Sequence, residues 1–353
     1  MTTRKVPVTV LTGHLGAGKT TLLNRILSGD KGKKYAVIVN EFGEIGIDNE
    51  LIVESDEEIY EMNNGCICCT VRGDLIGVML KLLRRPGRFD AIVVETTGVA
   101  DPAPVVQTFL MDEDVRRQVE LDAVITLVDA MHYPLRLADS QEAEDQVAFA
   151  DVVLINKVDL VDADALASVE RRVAAINPYA ARHRVRRADI DLSKILQIGA
   201  FDLQRFQALY DFGEAPAPHG CDDPDHEHGP DCGHAPEHQD GGHAHRHTIS
   251  VASLSLRAGE IDGNRFFPWI QDLVKEKGPD ILRMKGILAL KGDERRCVVQ
   301  GVHMIVEADH QQAWPEGEPR ASRLVFIGRN LDMEGLRRQF EACQAVASCH
   351  ELE

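Results

Sequence analysis

Short, unbroken runs of apolar residues alternate with helix-period segments through the first half of the chain. VPVTVL at residues 6–11 is a β-branched run ending near a glycine, as in a strand buried on both faces. From Gly18 to about Ser28 the period turns helical, with Leu22, Leu23, Ile26 and Leu27 on one stripe. Further strands are expected at 35–39, 90–94, 121–128 and 151–155, with helices near 71–85, 102–111, 141–149 and 163–176. In the first of these helices Val71, Leu75, Val78, Met79 and Leu82 share a face. Continuous apolar strands separated by amphipathic helices predict an α/β unit with a mostly parallel sheet covered on both sides.

The pattern breaks at His219. From there to His247 the chain carries eight His, two Cys and seven Asp or Glu, with no Val, Ile, Leu, Met, Phe, Trp or Tyr. Such a segment cannot bury enough apolar surface to offset its ordering entropy, so it reads as a mobile linker. Beyond it, strands are expected near 248–256, 286–291, 296–304 and 323–328, and helices near 262–276 and 332–346. Four strands and two helices make a smaller α+β domain. The expected division is residues 1–212, a linker at 213–247, and residues 248–353.

Length and charge narrow the classes. The chain has 353 residues, enough for about two domains at roughly 150 residues each. Its 57 acidic against 39 basic side chains give a net charge of −18, which argues against a general nucleic-acid binder while leaving room for a small local basic site. No apolar run reaches the length of a membrane span, and the N-terminal stretch is too short for a signal peptide. The eight Cys are therefore expected in a reducing cytoplasm, where clustered thiols point to metal or catalysis.

Residues 13–20, GHLGAGKT, match the phosphate-binding pattern GxxxxGK[ST] between a predicted strand and a predicted helix. A chance match in a chain this long is on the order of one in a hundred, so nucleotide binding outweighs an accidental glycine turn. Gly13, Gly16, Ala17, Gly18, Lys19, Thr20 and Thr21 are the expected phosphate site. Lys19 would reach the β- and γ-phosphates and Thr20 would ligate Mg²⁺. Asn156-Lys157-Val158-Asp159 follows the 151–155 strand. A carboxylate at Asp159 can accept from guanine N1–H and the 2-amino group, which adenine does not offer, so GTP is expected over ATP. The stem of Lys157 can cover the base, and Asn156 can tie the loops together. Glu95, in VETTG, could organise Mg²⁺ with Gly98 near the γ-phosphate, though alone it is a polar strand end.

Cys66, Cys68 and Cys69 follow the turn signal Asn63-Asn64-Gly65. Three thiols this close are too crowded for a disulfide framework and favour Zn²⁺ or another late metal in an irregular loop. Glu41, in NEFGEIGID, could complete the site or be a solvated loop carboxylate. The His-rich linker could hold several ions loosely. Cys297, Cys343 and His303 read as structural, and Cys349 and His350 as a frayed end.

Together GHLGAGKTT, NEFGEIGID, GCICC, ETTG, NKVD, the His-rich linker, RMKGIL and FIGRNLD resemble the CobW-type family of P-loop GTPases, metal chaperones that include the zinc-regulated GTPase metalloprotein activators. The resemblance spans nearly the whole chain. It implies that GTP hydrolysis is coupled to delivery of Zn²⁺, or of Co²⁺ in cobalamin-linked members, with Cys66, Cys68 and Cys69 as the metal site. His14 stands where an aromatic residue is expected, and no catalytic glutamine is evident. The resulting expectation is a cytoplasmic GTPase that loads zinc into client apo-metalloproteins, with a homodimer left open. The alternatives are a cobalt chaperone for cobalamin synthesis or nitrile hydratase activation, and a metal buffer with GTP as a structural ligand.

Overall fold

A computed structural model describes residues 5–29, 32–39, 58–61, 70–84, 89–200, 250–315, 317 and 319–345. Strand β1 (Val6–Gly13) leads into helix α1 (Lys19–Gly29) and β2 (Tyr35–Val39), followed by β3 (Glu58–Glu61), α2 (Thr70–Leu83) and β4 (Ala91–Glu95). Then come α3 (Ala103–Met111), α4 (Glu113–Arg116), β5 (Val119–Asp129), α5 (Tyr133–Asp139), α6 (Gln141–Phe149), β6 (Val152–Asn156), α7 (Ala163–Ile176) and β7 (Ala181–Arg184). Among the described residues the seven strands pair in the order β3-β2-β4-β1-β5-β6-β7, every pair parallel.

Burial follows the two-residue period of a strand. Val8, Val10, Ile38, Ile92, Val94, Val153 and Ile155 pack on one face with Leu75, Met79, Val106, Val147 and Val173 of the helices. Their neighbours Leu11, Val37, Val93, Ile125, Leu127 and Leu154 pack on the other with Leu22, Leu23 and Ile26 of α1 and with Ile195 and Leu196. Both faces are dry, which is why these strands read as unbroken apolar runs. The parallel connections put every β-to-α loop at one end of the sheet, where the phosphate-binding loop sits beside the ends of β4, β5 and β6.

The C-terminal unit comprises β8 (Val251–Ala258), α8 (Gly263–Lys277), β9 (Ile281–Ala289), β10 (Arg295–Val302), β11 (Ile305–Ala313), β12 (Ser322–Arg329) and α9 (Met333–Ala342). Its strands form an antiparallel sheet, order β11-β10-β9-β12-β8. One face holds Leu256, Met284, Leu288 and Phe326 against Phe266, Ile270 and Phe340 of the two helices. Cys297 and Cys343 are buried in this cluster, in keeping with their structural reading. On the other face Ile287, Val298, Val325 and Ile327 join the apolar cluster of the first domain.

Two expectations need correction. The sheet has five strands rather than four, because β11 is a largely exposed edge strand, IVEADHQQA, without apolar alternation. Strand β9 starts at Ile281 rather than at 286: Arg283 and Lys285 are buried within it, and their charge hid the run. The carboxylate that pairs with them, Asp151, lies in the first domain.

Candidate nucleotide site

The loop between β1 and α1 is wound by three glycines with positive φ: Gly13 at 135°, Gly16 at 79° and Gly18 at 110°. Gly18 has a second reason to lack a side chain, since a Cβ there would stand 2.5 Å from Asn156 Nδ2. Lys19 opens α1 and is buried; its Nζ donates to the carbonyls of Gly13 at 2.8 Å and His14 at 3.4 Å. The ammonium thus lies across the loop whose main-chain N–H groups, with the helix N-terminus, create positive potential for phosphate. Thr20 follows, half-buried, and Thr21 is exposed.

Strand β4 lies alongside β1 in register Leu11 to Glu95, which brings the buried Glu95 carboxylate to the base of the loop. Thr96 Oγ1 donates to Thr12 Oγ1 at 2.8 Å and fastens the two strand ends. Thr97 Oγ1 is buried and has no hydrogen-bond partner among the described residues. Gly98 presses on the loop itself, because a Cβ on it would lie 2.4 Å from Leu15 N. A hydroxyl at Thr20, a carboxylate at Glu95 and an orphaned buried hydroxyl at Thr97 are hard oxygen donors, the set that suits Mg²⁺.

On the opposite flank, Asn156 Nδ2 donates to Ala17 O at 2.8 Å, and Asn156 Oδ1 accepts from Ala188 N at 3.0 Å. One amide therefore joins the phosphate-binding loop to the loop after β7. Lys157 adopts a left-handed conformation, φ 61°, and its Nζ is held by Asp129 Oδ2 at 2.7 Å. Asp159, two residues further on, is exposed.

The structure adds residues that the motifs did not reveal. Asp129, at the end of β5, also engages His132 Nδ1 at 2.9 Å. Burial alone would raise its pKa, but hydrogen bonds from Lys157 and His132, with the charge of Lys157, carry it below the usual carboxylate value. Arg187 and Ala188 form a left-handed turn, clamped by Arg25, which pairs with Asp189 Oδ1 at 2.6 Å and reaches Arg187 O. A cavity of about 200 Å³ lies next to the loop, between His14, Gly16, Asp129, His132, Arg136 and Lys157. Burial lowers the pKa of His14 there. Asp129 left one signal in the sequence, an acidic residue closing a long apolar strand. Ala188 left none, since it acts through its main-chain N–H.

Cys66, Cys68, Cys69 and Glu41 lie outside the described residues, as do the 213–247 linker, Cys349 and His350. Among the described residues no group of three or more His, Cys, Asp or Glu is arranged to hold a metal ion, and no helix is long and apolar enough to cross a membrane.

A parallel sheet carrying this loop, with an antiparallel domain packed on its helices, defines a P-loop nucleotide-binding protein with a C-terminal α+β domain. Residues 7–184 match the CobW/HypB/UreG nucleotide-binding domain, and residues 251–344 match the cobalamin synthesis protein cobW C-terminal domain. The chain belongs to the CobW/HypB/UreG family, as its motifs implied. It is 35% identical to the zinc chaperone CobW of Pseudomonas aeruginosa over 98% of this chain and 93% of that protein. It is 34% identical to the zinc chaperone YjiA of Escherichia coli, covering 95% and 98% of the two chains. The crystal structure of Zn(II)-bound YjiA GTPase from E. coli superposes with a TM-score of 0.72 at 29% identity, covering 97% of this chain and all of that one.

Proposed function

We propose that the protein is a GTP-hydrolysing metallochaperone that carries zinc on Cys66, Cys68 and Cys69, with Glu41 as a further ligand, and passes it to client apo-metalloproteins. The observation that carries the nucleotide half is the pair of hydrogen bonds by which Asn156 joins the phosphate-binding loop to the Ala188 turn, with Asp159 exposed two residues beyond Lys157. The three-thiol motif supports the metal half, as does near-full-length similarity to proteins named zinc chaperones.

In this reading the main-chain N–H groups of residues 13–20 cradle the phosphates, and Lys19 leaves Gly13 O for the β- and γ-oxygens. Asp159 accepts from guanine N1–H and the 2-amino group. Lys157, tethered to Asp129, lays its stem along the base. Thr20 and Glu95 would hold Mg²⁺, which when bound neutralises charge on the phosphate oxygens. Water attacks the γ-phosphorus as its bond to the bridging oxygen breaks, giving GDP and phosphate. Loss of the γ-phosphate then loosens the thiolate site and releases the ion. Coupling of this kind requires the two nucleotide states to differ in zinc affinity by about 1–3 kcal/mol.

The test is Zn²⁺ and Co²⁺ affinity by chelator competition, with Mg-GDP and a Mg-GTP analogue, on the full chain and on C66A/C68A/C69A. The expected result is one tight zinc site, about fivefold or more tighter with the analogue, that the triple variant lacks. Tight, nucleotide-dependent zinc binding in the triple variant would overturn the site. Affinity indifferent to nucleotide would favour a buffer, and a preference for Co²⁺ a cobalt chaperone.

A further inference from the structure

Gln146 lies on α6 with 2% of its surface exposed, and its Nε2 donates to the carbonyls of Gly98 at 3.2 Å and Ala100 at 3.3 Å. A primary amide has two N–H donors, one for each carbonyl. The main-chain carbonyl of Gln146 accepts from Thr126 Oγ1 at 2.6 Å, which ties the helix to β5. The segment so gripped begins at Gly98, where a Cβ would stand 2.4 Å from Leu15 N in the phosphate-binding loop. Any rearrangement around a γ-phosphate at Gly98 therefore acts on Gln146.

The two residues before it face the other half of the molecule. Glu144 accepts from Ser250 N at 3.2 Å and from Ser250 Oγ at 2.7 Å, while Asp145 pairs with Arg329 Nη2. Ser250 precedes β8 and Arg329 ends β12. Consecutive helical residues point about 100° apart, so three side chains in a row can address three different surfaces. The same helix buries Val147, Ala148 and Phe149 completely or nearly so. A short, close-packed helix moves as a unit rather than deforming.

We propose that Gln146 is a positioning residue for the nucleotide reaction. It sets the Gly98–Ala100 segment for the phosphate-bearing state, and α6 passes the state of that segment to the C-terminal sheet through Glu144 and Asp145. This rests on the nucleotide reading given above.

The experiment uses full-length protein with Mg-GDP and a non-hydrolysable Mg-GTP analogue. It measures GDP affinity, GTP turnover and hydrogen exchange in peptides covering residues 250–256 and 322–329. Gln146→Met keeps the volume and removes both donors. In the wild type, exchange in the two peptides should differ between nucleotides. In Q146M, GDP affinity should stay within about twofold, turnover should fall about tenfold, and the exchange difference should vanish. Wild-type turnover in Q146M, or a persistent exchange difference, overturns the proposal. Should Q146M fail to fold, Arg329→Gln gives an independent arm: turnover is kept and the exchange difference lost, while its retention overturns the relay. A wild-type chain that binds neither nucleotide overturns the nucleotide reading, and this proposal with it. A chain that binds and hydrolyses GTP with identical exchange in both states overturns the relay alone.

Discussion

In the function proposed here, base selection falls to the exposed carboxylate of Asp159 and the lysine two residues before it. Lys157 is costly to place, since a left-handed conformation is unfavourable for a residue with a Cβ. Its hydrogen bond to Asp129 helps hold it there, and His132 steadies Asp129 in turn. In that reading the carboxylate of Asp159 is the discriminating group, because two charge-assisted bonds to guanine would depend on it. Asp159→Asn should weaken GTP binding by about 100-fold, as one acceptor becomes a donor facing the 2-amino group. The same change should improve binding of xanthosine triphosphate, whose 2-oxo group accepts from that new donor. Competition of the two nucleotides for a fluorescent GDP analogue measures both effects. Unchanged preference would show that Asp159 does not read the base.

Between elements, the end of β4 makes a close junction with the phosphate-binding loop. Gly98→Ala would drive a methyl group into the Leu15 backbone, where only movement of the main chain relieves the clash. A displacement of about 1 Å at a reacting centre can cost two orders of magnitude, so turnover should fall about 100-fold with the fold retained by circular dichroism. Near-normal turnover would remove Gly98 from the phosphate site. The same elements show what could be read in advance. Strands β2 and β6 were legible to within a residue because both faces are buried and every position is apolar or nearly so. Strands β3, β7 and β11 were not, because EIYE, ARHR and IVEADHQQA are short or polar sheet-edge segments. The phosphate-binding loop and Asn156-Lys157-Val158-Asp159 carry their chemistry in residue identity and spacing, and so were visible. Gln146 and the Ala188 amide act through neighbours supplied by the fold, and no local pattern marks them.

At the scale of the whole molecule, the two domains share an apolar cluster with a charged centre. Asp151, with 1% of its side chain exposed, meets Arg283 Nη2 and lies 2.8 Å from Lys285 Nζ. Lys285 also donates to Ala200 O at 2.9 Å, and Arg283 to Phe149 O. Burial and the adjacent Arg283 pull the pKa of Lys285 down to about 7, against a smaller upward effect of Asp151. An unfolded lysine keeps its proton to about pH 10.4, so between that value and about 7 the unfolded chain binds more protons than the folded one. Stability should therefore rise with pH across this window, and the Lys285 contribution is flat below it. The melting midpoint is expected to climb from pH 7 to 8.5. Lys285→Met should flatten that climb and match or exceed the wild type at pH 6.5, because it leaves Asp151 and Arg283 as a balanced pair. A wild-type midpoint that falls over the same range would contradict the charge assignment. Below about pH 7, where Lys285 carries its proton, two cations surround one carboxylate at the seam between the halves. Apolar contact holds it shut, while the surplus charge at its centre regains hydration whenever the halves part. Acidification should therefore loosen this seam, whereas loss of the Lys285 proton leaves Asp151 and Arg283 balanced across it.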